Sequence, residues 1–89
     1  MKMLIKSNRF KRDYKRALKR RLNPKKLEAI LRLLLEGALL PDRCHPHKLT
    51  GDYLGFWECH IEPDWLLVYY ISDDYIELAA TGTHADLFE

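Results

Sequence analysis

Four histidines, His45, His47, His60 and His84, all stand in the second half of the chain, among the carboxylates Glu58, Glu62 and Asp64. Histidine is the one side chain whose ordinary pKa lets it give and take protons near neutrality, so the set suits general acid–base catalysis. Such a ring works only with a second titratable group in reach. Pro63-Asp64 reads as the turn between two strands, which brings the end of one and the start of the next together and groups His60 with Asp64. His47 precedes the first of those strands and His84 follows the last. His45, between Cys44 and Pro46, reads as an ordinary loop residue.

The same stretch offers metal ligands in Cys44-His45-Pro46-His47 and Cys59-His60. Zinc sites normally repeat a short two-ligand pair at both ends of the motif. Cys59 and His60 are adjacent in a predicted strand, where neighbours point to opposite faces, so they cannot readily share one ion. The expectation is no metal and no cofactor, with a zinc-binding module as the competing reading. No Gly-rich phosphate loop or nucleophile elbow is present, and Gly82 in Thr81-Gly82-Thr83 reads as a turn glycine.

These groups need a scaffold, and the hydrophobic pattern supplies one. Leu4-Ile5 reads as a short strand before Ser7-Asn8, a helix N-cap. Phe10, Tyr14, Ala17, Leu18 and Leu22 then form one stripe of an amphipathic helix. Asn23-Pro24 ends it and starts a second, with Leu27, Ile30, Leu31 and Leu34 inward and Gly37 as the C-terminal cap. Phe56 to Ile61, Trp65 to Ile71 and Tyr75 to Ala80 read as strands, the middle one a continuous apolar run typical of a central strand. Turns this short allow only antiparallel pairing among them. The expected fold is α+β: a short N-terminal strand, a helical hairpin, then a three- or four-stranded antiparallel sheet packed on the helices. One sheet face is left for water or a ligand.

Charge is divided unevenly along this layout. Residues 1–26 hold 12 of the 15 Lys+Arg and a single acid, Asp13, giving 12 − 1 = +11. Residues 27–89 hold 3 basic residues and 12 acids, giving 3 − 12 = −9. Lys11, Arg12, Lys15, Arg16, Lys19 and Arg20 cover the polar side of the first helix, a pole suited to RNA or an acidic protein segment. At 89 residues the chain makes one domain, and its longest apolar run, Trp65 to Ile71, is far too short to cross a bilayer. Two cysteines are too few for a secreted disulfide scaffold, and no signal sequence is seen, so the expected compartment is the cytoplasm.

His47-Lys-Leu-Thr-Gly51, then Gly55-Phe-Trp-Glu-Cys-His60-Ile-Glu-Pro-Asp64-Trp65-Leu-Leu-Val-Tyr69, then Thr81-Gly82-Thr83-His84-Ala-Asp-Leu-Phe88 resemble the YafQ branch of the RelE/ParE superfamily. The resemblance covers nearly the whole chain and implies a single RelE-like domain over residues 1–89. It implies the toxin of a type II toxin–antitoxin pair, an endoribonuclease that cleaves mRNA on the translating ribosome without a metal. The ribose 2′-hydroxyl attacks the adjacent phosphate, leaving a cyclic phosphate and a 5′-hydroxyl. Carried over by position, His47, His60, Asp64 and His84 are the catalytic residues, with His84 and either His47 or His60 moving protons and Asp64 orienting one of them. Trp65 and Phe88 are implied to stack bases.

Relatives often carry arginine where this chain has Trp57 and Ala80. The charge on the reacting phosphate then falls to Lys48, a protonated histidine or a residue of the basic helix, and Trp57 offers a further stacking surface. The implied partners are the ribosome, mRNA and a small antitoxin of the ribbon–helix–helix, DinJ-like type; operator DNA is met only through the antitoxin complex, and no membrane is involved. The two departures also leave open an attenuated enzyme that acts mainly in antitoxin binding and operon autorepression.

Overall fold

The computed structural model describes residues 2–88; Met1 and Glu89, the ends of the expected domain, lie outside them. The elements run β1 (Met3–Lys6), α1 (Asn8–Lys19), α2 (Pro24–Glu36), a 3-10 turn at Asp42–Cys44, β2 (His47–Lys48) and a second 3-10 turn at Gly51–Tyr53. They continue as β3 (Trp57–Glu62), β4 (Trp65–Ile71), β5 (Tyr75–Gly82) and α3 (His84–Phe88). The strands form one mixed sheet of order β1-β5-β4-β3-β2, with β1 parallel to β5 and the other pairs antiparallel. The fold is α+β, as the pattern implies, and the apolar run of β4 lies at its centre.

Local chemistry sets the helix ends. The Ser7 hydroxyl accepts the Phe10 N–H at 2.9 Å, and Asn23 Oδ1 accepts the Lys25 N–H at 3.0 Å. Gly37 closes α2 at φ 71°, a left-handed position that favours glycine. α1 stops at Lys19, short of the expected Leu22, and Arg21 turns the chain at φ 63°.

Two cores line the two sides of the sheet. On one side α1 and α2 pack Phe10, Ala17, Leu27 and Ile30 onto Cys59, Trp65, Leu67, Tyr69 and Leu78. On the other, Leu87 of α3 packs with Leu66, Val68 and Ala80, flanked by Leu49, Tyr53 and Phe56. The second face is therefore covered in part by α3 and the Gly51–Tyr53 turn. Its end by β2 and β3 stays open for polar groups, and at its β1 edge Met3 and Ile5 are exposed.

The inward face of α1 departs from the expected stripe. Leu18 is 43% exposed, whereas Asp13 is 7% exposed and sits between Phe10 and Ala17. Asp13 Oδ2 accepts the buried Thr81 N–H at 3.1 Å, and the carboxylate also meets Arg16 at 3.0 Å and Arg9 at 3.4 Å. Thr81 continues the chain of contacts: its Oγ1 accepts from Trp65 Nε1 at 2.9 Å and donates to the Leu66 carbonyl at 2.6 Å.

A register shift in β5 makes this possible. Tyr69 pairs with Leu78 but Val68 with Ala80, so Ala79 is an extra residue that reverses which side Ala80 and Thr81 face. Replacing Asp13 with alanine orphans the Thr81 N–H and two arginines, and is expected to destabilise the domain by about 1–3 kcal/mol. Thermal unfolding checks it, with a midpoint lower by about 4–8 °C per kcal/mol.

Candidate active site

β3 sends alternate side chains to opposite faces. Glu58 and His60 join the face that carries Leu66 and Val68, while Cys59 enters the helix-side core. β2 is two residues long, and its register sets His47 opposite Glu58. The buried Glu58 carboxylate thus lies between two rings, with Oε1 3.4 Å from His47 Nε2 and 3.9 Å from His60 Nε2. His47 Nδ1 stands 2.9 Å from the His45 carbonyl, which only accepts, so Nδ1 carries a proton. A second proton on Nε2 turns the approach to Glu58 into an ion pair.

His84 arrives from the opposite end of the site, at the start of α3. Its Nδ1 is 2.7 Å from Asp64 Oδ1, and the same oxygen accepts its backbone N–H at 2.9 Å. These two bonds, the backbone one first, hold the Asp64 carboxyl below the usual carboxylate range. With Nδ1–H given to Asp64, the outer Nε2 is left as a lone-pair acceptor. The His84 and His60 rings meet edge to face at 5.6 Å between centroids, and His60 and His45 do so at 5.7 Å. Three imidazoles therefore form one row, and His47 joins it through Glu58.

α3 is short, and side-chain bonds keep it in place. Thr83 and Asp86 cap it reciprocally: Asp86 Oδ2 accepts the Thr83 N–H at 3.0 Å and Thr83 Oγ1 accepts the Asp86 N–H at 3.1 Å. Arg20, the C-terminal cap of α1, reaches Asp86 Oδ2 at 2.7 Å and holds that carboxyl far below its ordinary value. Arg9 donates to the Tyr53 hydroxyl at 2.7 Å and the Asp86 carbonyl at 3.3 Å. Gly82 is the last residue of β5 and not a turn residue; a Cβ there would lie 2.8 Å from Asp86 Oδ2. Glycine is what lets α3 fold back so closely that His84 meets Asp64.

The structure thus brings His47, His60, Asp64 and His84 together, with one change of pairing. Asp64 bonds to His84 and not to His60, whose carboxylate neighbour is Glu58. Glu58 and His45 complete the set although the sequence reading left them out. Glu58 carried a signal, because it lies two residues before His60 in a strand and must share its face. His45 carried none; its place depends on a left-handed turn at φ 44°.

Three expected contacts are corrected. Trp65 is 2% exposed, with its indole N–H on Thr81 inside the helix-side core, and has no face for a base. Lys48 pairs with Trp57 and Trp57 with Tyr69, a residue of the helix-side core, so both point away from the histidines. Lys48 Nζ instead lies over the Trp57 ring at 5.5 Å. Phe88 is exposed, at 47%, with its ring 6.4 Å from Tyr53. Of the basic helix, Arg16 and Arg20 are engaged by Asp13 and Asp86, whereas Lys11, Arg12, Lys15 and Lys19 face solvent.

Thiol chemistry lies on the far side. Cys44 and Cys59 are buried among apolar side chains, and burial pushes the Cys59 thiol up to about 12. Neither is a thiolate near neutrality in the absence of a metal, so neither serves as a nucleophile there. Among the described residues, no three histidine, cysteine or carboxylate side chains are arranged to hold one metal ion. No described helix is long and apolar enough to cross a membrane.

Comparison with known proteins agrees with this geometry. The family model described as "Bacterial toxin of type II toxin-antitoxin system, YafQ" matches residues 2–89. The mRNA interferase toxin YafQ of Escherichia coli K12 is 39% identical over 83 residues, covering 92% of this chain and 90% of that protein. The crystal structure of YafQ from E. coli BL21(DE3) superposes with a TM-score of 0.94 at 34% identity, each chain covered at 100%. The toxin in the E. coli DinJ-YafQ complex gives 0.91 at 35% identity, covering 99% of this chain and 98% of that one. A metal-bound toxin from Helicobacter pylori gives 0.92 at 32% identity, covering 99% and 100%. With residues 2–89 matched in this way, the chain belongs to the YafQ family of bacterial toxins from type II toxin–antitoxin systems.

Proposed function

We propose that this chain cleaves mRNA on the translating ribosome by attack of a ribose 2′-hydroxyl on the neighbouring phosphate. A 2′-O–P bond forms and the P–O5′ bond breaks, giving a 2′,3′-cyclic phosphate and a 5′-hydroxyl. The observation that carries this reading is the row of imidazoles, with Asp64 on His84 at one end and Glu58 between His60 and His47. His84, its Nδ1–H committed to Asp64, offers Nε2 to take the 2′-hydroxyl proton. His60, facing both His84 and Glu58, gives a proton to the departing O5′. Protonated His47, held by Glu58 and the His45 carbonyl, supplies positive charge to the phosphorane. Phe88 is the exposed aromatic on which an unstacked base rests.

No divalent cation enters this scheme, so toxin stripped with a chelator before it meets ribosomes should cleave as the untreated toxin does. The deciding experiment maps cut mRNA ends after induction and records their chemistry. Cyclic or 3′-phosphate with 5′-hydroxyl ends are expected; 3′-hydroxyl with 5′-phosphate ends would refute the mechanism.

A second reading has its own support. Lys48 does not take the place of the arginines that relatives often carry at Trp57 and Ala80, since it lies on the other face. A slow nuclease whose main work is antitoxin binding and operon autorepression fits that arrangement. Growth arrest on expressing the lone chain, removed by His84→Ala, favours the nuclease; its absence favours the second reading.

The partners proposed are the ribosome, in the cytoplasm, and a ribbon–helix–helix antitoxin of the DinJ kind. The outward charges Lys11, Arg12, Lys15 and Lys19 serve as phosphate contacts to ribosomal RNA. Changing all four to serine is expected to flatten the log–log salt dependence of ribosome binding by roughly 0.7 per charge removed. Co-sedimentation across a salt series reads this, and an unchanged slope removes α1 from the RNA interface. Arg16 and Arg20 belong outside that test, because both hold the fold.

A further inference from the structure

On the side of His60 away from His84, a cleft of about 380 Å³ opens between the Asp42–Cys44 turn and the end of β3. That volume lies at the small end of the range for ligand pockets. Ile61 and Pro63 give apolar walls, and His45, edge to face with His60, brings an imidazole to its inner end. Two groups of opposite charge border it, Arg43 and Glu62. Lys26 of α2 approaches Glu62 at 3.6 Å, which balances its charge and leaves a half-buried carboxylate able to accept further bonds. Arg43 makes no ion pair among the described residues. An apolar slot with one acceptor edge and one donor edge has the composition of a nucleobase site.

We infer that this cleft holds the base next to the cleaved phosphate and selects guanine. Guanine presents an N–H and an exocyclic amine side by side for the Glu62 carboxylate, and the O6/N7 pair for the Arg43 fork. Other bases satisfy one edge and leave the other unpaired. The inference rests on the proposed nuclease reading, because only a phosphate held at the histidine row places a base here. Arg43 and Glu62 act on choice of sequence and take no part in proton transfer.

The chain is titrated with each of the four nucleoside 3′-monophosphates at millimolar concentration, following backbone amide shifts. Guanosine 3′-monophosphate is expected to perturb Arg43, His45 and Glu62 and to bind about tenfold or more tighter than the others. Glu62→Gln should abolish that preference while leaving the His84 shifts in place. An equal response to all four, or a preference that survives Glu62→Gln, overturns the inference. Mapping of cut ends separately tests the nuclease reading, so loss of one is not mistaken for loss of the other.

Discussion

Replacing His84 with alanine is expected to slow mRNA cleavage about 10²- to 10⁴-fold, the usual worth of a placed acid–base group. The ring is 55% exposed, and its removal leaves the backbone N–H bond to Asp64 intact, so the thermal midpoint should hardly move. Single-turnover cleavage on programmed ribosomes gives the rate, and a melting curve shows that the fold has survived. Alanine at His60 should give a fall in the same range. A loss below tenfold at His84 would mean that its ring does not carry the proton.

Trp65→Ala is the largest expected change in stability. The indole fills the helix-side core at 2% exposure, and deletions of this kind cost about 3–5 kcal/mol. A domain of this size has roughly 5–15 kcal/mol in total, so the loss is a large share of it and the thermal midpoint should fall by more than about 10 °C. Phenylalanine at the same place keeps most of the volume and loses the bond to Thr81, whose hydroxyl retains the Leu66 carbonyl. Trp65→Phe should therefore fold and cleave near the parent level. Folded Trp65→Phe protein with no cleavage would show that the indole N–H bond to Thr81, and not volume alone, supports the site.

Much of the scaffold was legible because its signals are local. Ser7, Asn23-Pro24 and Gly37 mark helix ends by hydrogen bonding and backbone preference, and each caps where expected. The run Trp65–Ile71 announced a strand covered on both sides. What escaped depends on longer contacts or on one-residue shifts. Strict alternation over Tyr75 to Ala80 puts Leu78 and Ala80 on one face, and the extra residue at Ala79 separates them. α3 is too short for a periodic signal, and its ties run to Arg9 and Arg20, far back in the chain.

At the site the pattern was reversed. Resemblance named four site residues that do converge, yet it transferred Trp65, and the departures from it suggested Lys48 and Trp57, without regard to which face these three occupy. Pairing through β2, β3 and β4 decides that, and spacing alone does not show it. The basic helix was likewise counted by charge. Its single acid, Asp13, is what turns part of that charge inward.

Because Asp13 and Asp86 clasp α1 to β5 and α3, the cationic ridge is tied directly to the elements that position His84. An inhibitor lying only along that ridge would then be a remote one. It would keep every imidazole intact and in place, and silence the toxin by steric exclusion from its docking platform.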